Sequence, residues 1–152
     1  MRDGGGGPAL FRLVRFWSRR WARGVAVDGG EEDTAVVTHV LAVNAIDSCL
    51  VAAQGGDGGT TVGEVARRLG LDQSGASRMV AAAVGAGYVE RGRAPSDTRR
   101  AVLRLTRAGH GLIVSSERWQ QGVFEELTAE WDELDRERFA GYLRRLARQV
   151  DA

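Results

Sequence analysis

Lysine is absent from this 152-residue chain, and all 21 of its basic side chains are arginine. With abundant alanine and 21 glycines, this bias has the look of a high-GC genome, so arginine number alone says little about partners. Cysteine is nearly as scarce. The single Cys49 excludes an internal disulfide and any cysteine-cluster zinc site. Two histidines, His39 and His110, stand far apart and argue against a histidine-built metal centre. An excess of one charge is missing too: 21 basic against 20 acidic residues leave +1, which by itself points to no nucleic acid. The longest apolar stretch is interrupted by His39, Asn44 and Asp47, so no membrane span is expected. Arg12, Arg15, Arg19 and Arg20 sit where a secretory leader would need an uncharged core. No Ser/His/Asp arrangement and no phosphate-binding glycine loop is present, and His110 alone makes no active site. The expectation is a cytoplasmic protein that is not an enzyme and needs no cofactor or metal.

What is present is ordinary globular composition, 43% apolar and 27% charged, in a chain long enough for one domain or one integrated unit. Glycine runs at 4–7, 29–30 and 55–59 punctuate it as loops or frayed ends. Between the first two runs, Leu10, Leu13, Val14, Trp17, Trp21 and Val25 recur at spacings of three and four, with Arg12, Arg15, Arg19 and Arg23 opposite. That spacing predicts an amphipathic helix from Pro8 to about Val25. Asp33 to Ala53 is apolar all round, as a helix buried on several sides would be. After Thr61 come two short helices, then strands at Tyr88–Arg91 and Ala101–Thr106, where Ala101, Leu103 and Leu105 alternate with Val102 and Arg104. Thr106 is a good N-cap for a long helix to about Glu130. An acidic cap at 132–135 opens a last helix to Val150.

Residues Val62 to Val80 meet the demands of a helix-turn-helix. Ala66 is small where the two helices would touch, and Gly70 stands where the turn goes left-handed. Val65, Leu69, Leu71, Ala76 and Met79 would fill the angle between them. The second helix carries Gln73, Ser74, Ser77 and Arg78, hydrogen-bonding side chains suited to base edges and phosphates in a major groove. Arg91, Arg93, Arg99 and Arg100 then crowd around the turn Ala94-Pro95-Ser96-Asp97. A hairpin so charged can lay guanidinium groups on phosphates or into a narrow minor groove.

At this point the chain resembles the MarR family (multiple antibiotic resistance regulators). The residues that carry the resemblance are Thr61-Val62-Gly63-Glu64-Val65-Ala66, Leu71-Asp72-Gln73-Ser74, Ser77-Arg78-Met79-Val80, Gly87-Tyr88-Val89-Glu90-Arg91 and Asp97-Thr98-Arg99-Arg100. The Leu103-Arg104-Leu105-Thr106-Arg107-Ala108-Gly109 run completes it. The resemblance implies a mainly α fold with a small β-wing: a winged helix-turn-helix lobe flanked by N- and C-terminal helices that form a dimer stem. It further implies that Arg99 enters the minor groove, that Asp97 helps hold it, and that a small, often aromatic or phenolic effector binds between stem and lobe.

On this basis the chain divides into 1–59, N-terminal helices; 60–110, the DNA-binding lobe; and 111–152, C-terminal dimerisation helices. Charge follows the division. Residues 60–110 hold nine Arg against four acids (+5), residues 111–152 six against nine (−3), and residues 1–59 six against seven (−1). The expected partners are double-stranded DNA, a second copy of the chain and a small effector, with no membrane. Trp17, Trp21, His39 and Asn44, with Cys49, are the candidates for an effector pocket, although the favoured reading makes the tryptophans interface core, His39 and Asn44 satisfied within packed helices, and Cys49 a small buried residue rather than a redox sensor. The function expected is a homodimeric, sequence-specific repressor released by that effector. An architectural DNA-binding protein without an effector is the alternative, and a membrane-surface module built on the first amphipathic helix is a further one.

Overall fold

The computed structural model describes residues 5–24, 32–54 and 58–150, with side chains at all of these except 17–24 and 32–34. The glycines at 29–30 and 55–56, Val25, and the side chains of Trp17 and Trp21 therefore lie outside the described residues. Two compact units divide the chain, Met1–Glu117 and Arg118–Ala152.

The first unit contains α1 (Gly6–Gly24), α2 (Glu32–Ala52), α3 (Val62–Leu69), α4 (Gln73–Gly85), β1 (Val89–Arg93), β2 (Ala101–Leu105) and the opening of α5 (Arg107–Leu127). Its core forms where α2 crosses α3, α4 and β2. Ala42, Val43 and Ile46 from α2 meet Val65 of α3, Val80 and Ala83 of α4, and Val89 and Leu103 of the hairpin. By length and composition Ala35–Ala52 could cross a membrane. Its polar interruptions are thus weaker barriers than the sequence suggested; what occupies it is the core, since Val40, Val43 and Ile46 are fully buried. α1 behaves differently: Leu10, Phe11, Leu13 and Val14 are exposed within the single chain.

Local chemistry sets the helix ends. Thr61 caps α3 and receives the Glu64 N–H, while the Glu64 carboxylate takes the Thr61 N–H at 2.7 Å, the reciprocal pattern of a capping box. Gly70 closes the same helix at φ 64°, ψ 31°, a left-handed residue that a Cβ would strain. Asp72 caps α4 through its Oδ1, which accepts the Gly75 N–H at 2.7 Å. Just past β2, Thr106 still donates its N–H to Tyr88 O at 3.1 Å, while its hydroxyl caps α5, accepting from Gly109 N and donating to Gly87 O.

The hairpin is antiparallel, pairing Val89 with Leu105, Arg91 with Leu103 and Arg93 with Ala101. β2 is not the half-buried strand its alternation predicts. Val102 and Leu103 are both buried, because Thr60 bridges to Leu103 on the other edge and Gly59 presses on Val102. Leu71, expected inside the helix-turn-helix angle, is instead 39% exposed.

In the second unit α5 ends at Leu127, three residues before the expected Glu130. The buried Thr128 hydroxyl donates to Phe124 O at 2.8 Å. Asp132 then caps α6 (Glu133–Val150) by accepting the Asp135 N–H. Phe139 packs between Phe124 and Trp131, with ring centroids 6.1 and 5.2 Å away. No described residue of α6 is buried.

Candidate nucleic-acid interface

The helix-turn-helix presents the outer face of α4. Gln73, Ser74, Ser77 and Arg78, the four residues expected to read DNA there, are all exposed. Arg78 already leans along the helix and donates to Ser74 Oγ at 2.6 Å. The inward face of the same helix holds Ala76, Val80 and Ala83, each fully buried, so the helix cannot rotate its reading face away without opening the core. Asp72 and Gly75 fix its N-terminus. A Cβ at Gly75 would stand 2.7 Å from the Asp72 oxygen that makes the cap.

The wing places Arg91, Arg93 and Arg99 at the surface. Asp97 does sit two residues before Arg99 as a partner, but through the backbone: its carboxylate accepts the Arg99 N–H at 2.9 Å. Arg93 donates to the Arg99 carbonyl at 3.3 Å. The backbone at 99 is thus held from both sides while its side chain points into solvent. Arg100 differs. It is half-buried and ion-pairs with Glu64 on α3 at 3.4 Å.

Arg104 escaped sequence reasoning. Its guanidinium donates to the carbonyls of Gly58 and Arg93, tying the loop before α3 to the hairpin. It lies across Gly92, where a Cβ would come within 2.6 Å of its Nη1. No local pattern announces such a contact, because the partners are 46 and 11 residues away. Glu64 was legible in part: the Thr-x-x-Glu spacing signals its capping role, but not its arginine.

Of the head's four acids, three are turned onto nearby groups. Asp72 and Asp97 accept backbone N–H groups, and Glu64 accepts from Thr60, Thr61 and Arg100. Burial works to raise the Glu64 pKa. The Thr61 N–H, the Thr60 and Thr61 hydroxyls and the Arg100 charge outweigh it and hold the carboxyl below its ordinary range. The exposed charges that remain are dominated by arginine, a surface suited to a polyanion.

Of the expected effector residues, His39 and Asn44 have described side chains, and both lie on α2. His39 is half-buried with its ring 5.4 Å from that of Tyr88, and burial lowers its pKa. Asn44 and Cys49 are half-buried on the same helix. His39 and Asn44 are five positions apart, roughly 140° around a helix, and so face different directions. Among the described residues no group of three or more His, Cys, Asp or Glu could hold a metal ion.

Residues 49–100 match the family model described as the MarR family. No curated protein sequence matches the chain. Among solved structures, a mutant form of S. aureus MepR aligns at a TM-score of 0.63 with 18% identity, over 95% of this chain and 98% of that one. A structure described as MarR gives 0.61 and 22%, over 99% and 93%. The PcaV transcriptional regulator from Streptomyces coelicolor, in complex with its natural ligand, gives 0.57 and 23%, over 96% and 94%. The helices and two-stranded wing among the described residues form the winged helix fold of these regulators.

Proposed function

We propose that this chain, whose residues 49–100 are a MarR-family segment, is a homodimeric transcriptional regulator that binds DNA sequence-specifically and represses until a small effector releases it. One observation carries the DNA-binding part: the hydrogen-bonding face of α4 and the arginine wing are both exposed on a head whose acids are largely engaged by their own neighbours. Gln73, Ser74, Ser77 and Arg78 would read a major groove, Arg91 and Arg93 would sit on phosphates, and Arg99, steadied by Asp97, would enter the minor groove. Two heads related by a two-fold axis would meet successive grooves of a pseudo-palindromic site in the cytoplasm.

The self-partner is supported by the outer helices. Leu10, Phe11 and Val14 on α1, and Leu134, Tyr142 and Leu146 on α6, are too many large apolar groups to leave in water. A second copy would cover both sets. The effector is supported by kinship in fold with PcaV, whose structure holds its natural ligand. His39 and Asn44, with Trp17 and Trp21, are the residues proposed to meet it.

The test is binding of the purified protein to DNA flanking its own gene, titrated first with salt and then with phenolic ligands. Salt-steep, sequence-selective binding that a ligand releases is the expected result. Binding that no ligand releases would move the assignment to an architectural protein, and no salt-dependent binding at all would remove DNA as the partner.

A further inference from the structure

The two oxygens of Glu64 have separate duties. Oε2 accepts the Thr61 N–H at 2.7 Å and the hydroxyls of Thr60 and Thr61 at 2.9 Å each, which closes the cap on α3. Three bonds on one oxygen fix the orientation of the carboxylate. Oε1 is thereby aimed across the head, where the Arg100 guanidinium meets it at 3.4 Å. The pair joins residues 36 positions apart. It links the first helix of the helix-turn-helix to the wing immediately after Arg99.

The wing backbone around that link is a closed set of short bonds. Ala94 N donates to Arg100 O, Arg100 N donates to Asp97 O, and Arg99 N donates to the Asp97 carboxylate. Anchoring Arg100 therefore anchors the frame on which Arg99 is mounted. We propose that Glu64 is a positioning residue for DNA binding, which through Arg100 holds the wing at a set place relative to α3 and α4. The role rests on the assignment of α4 and the wing as the DNA-reading surface. It also gives Arg100 a different task from its neighbours: its charge is directed to the protein, while Arg99 is left for the groove.

The sign of one substitution separates this from a direct phosphate contact by Arg100. Removing an acid beside a polyanion normally strengthens binding, because a repulsion is lost. If Glu64 positions the wing, Glu64→Gln weakens binding despite that, since an amide can still accept the Thr61 N–H but cannot pair with arginine. The full-length variants Glu64→Gln, Arg100→Gln and the double variant would be compared by DNA affinity. Amide hydrogen exchange across residues 94–100 of the free protein would be followed alongside. For a partly exposed ion pair the expected loss is about three- to fivefold in affinity for either single variant. The double variant should be no weaker than the worse single one, and exchange at Ala94 and Arg100 should quicken in all three. A Glu64→Gln protein that binds as well as or better than wild type, beside a weakened Arg100→Gln, would overturn the proposal in favour of direct contact. Unchanged exchange in Arg100→Gln would overturn it as well, and that variant leaves the α3 cap intact should Glu64→Gln fail to fold. If wild-type protein shows no salt-steep DNA binding, the functional assignment falls. The exchange measurement still decides whether the tie exists.

Discussion

The winged-helix head and helix α6 use similar apolar side chains for opposite ends. In the head, Val65, Val80, Val89, Val102 and Leu103 are at most 2% exposed, and the core closes within one chain. On α6, Leu134, Tyr142, Leu143 and Leu146 are all at least 36% exposed, and none of its described residues is buried. Charge divides along the same line, +5 over residues 60–110 and −3 over 111–152. A head completed by its own residues can carry a charge excess, one that DNA would neutralise under the proposed function. A helix that leaves so many of its apolar side chains exposed in the single chain would, in the dimer proposed above, gain stability by association. Changes in the head core should therefore act on folding, and under the proposed function changes on the α6 stripe should act on assembly and changes on the wing on DNA binding alone.

The largest effect is expected where the contrast is sharpest. Leu143→Glu with Leu146→Glu should turn a dimer into a monomer in sedimentation, at roughly 2 kcal/mol or more per residue if these are central contacts. The thermal transition of the head should survive. A double variant that stays dimeric at micromolar concentration would take α6 out of the seam.

Next is Gly109→Ala. A Cβ there would stand 2.2 Å from the Tyr88 carbonyl oxygen, so the variant should lose about 2–3 kcal/mol of folding stability in urea titration. Gly122→Ala, on the same helix but in open space, should be neutral or slightly stabilising. Equal losses from the two would erase the distinction between a closed head and an open flank.

Arg99→Ala should leave folding and assembly alone and weaken DNA binding by about 1–3 kcal/mol, with a shallower salt slope. An unchanged affinity and slope would show that the wing stays off the DNA.

The smallest effect concerns His39. Burial lowers its folded pKa below the unfolded value, so the unfolded chain binds the proton more readily. Stability is therefore whole above about pH 6.5 and declines as pH falls below it. Urea midpoints at pH 7.5 and 5.5 should drop more for wild type than for His39→Gln. An equal drop would place the acid sensitivity elsewhere.

Much of this organisation is legible in the residues, and the legible part is local. Gly70, Asp72, Thr106 and Asp132 mark helix ends through bonds to groups a few positions away, so their spacing alone suffices. The reading face of α4 follows from helical period, because Ala76, Val80 and Ala83 must turn inward together. What the pattern misses depends on distant chain. Val102 is buried because Gly59 and Thr60 return to β2 from some 40 positions earlier. Arg100 looks like a wing arginine and Arg104 like an ordinary strand residue in a one-dimensional reading, yet each turns to a partner that only the fold supplies. The proposed effector residues are the least defined, since His39 and Asn44 face apart and the tryptophan side chains lie outside the described residues.

The single bridge between Thr60 and Leu103 has a mechanical consequence. Its two backbone bonds run in both directions, Thr60 N to Leu103 O at 3.1 Å and Leu103 N to Thr60 O at 2.6 Å. A wing stitched this way to the residue before α3 cannot hinge freely at its root. In the proposed dimer the head would then act as a stiff caliper jaw, a shift at its base being carried toward the wing tip instead of absorbed by bending at Thr60. Half-sites lie about 34–36 Å apart along the duplex, so jaws of this kind tolerate little change in gap. If the chain is the dimeric regulator proposed above, its operator choice should accordingly be strict in half-site spacing, with one inserted base pair more damaging than a mismatched one.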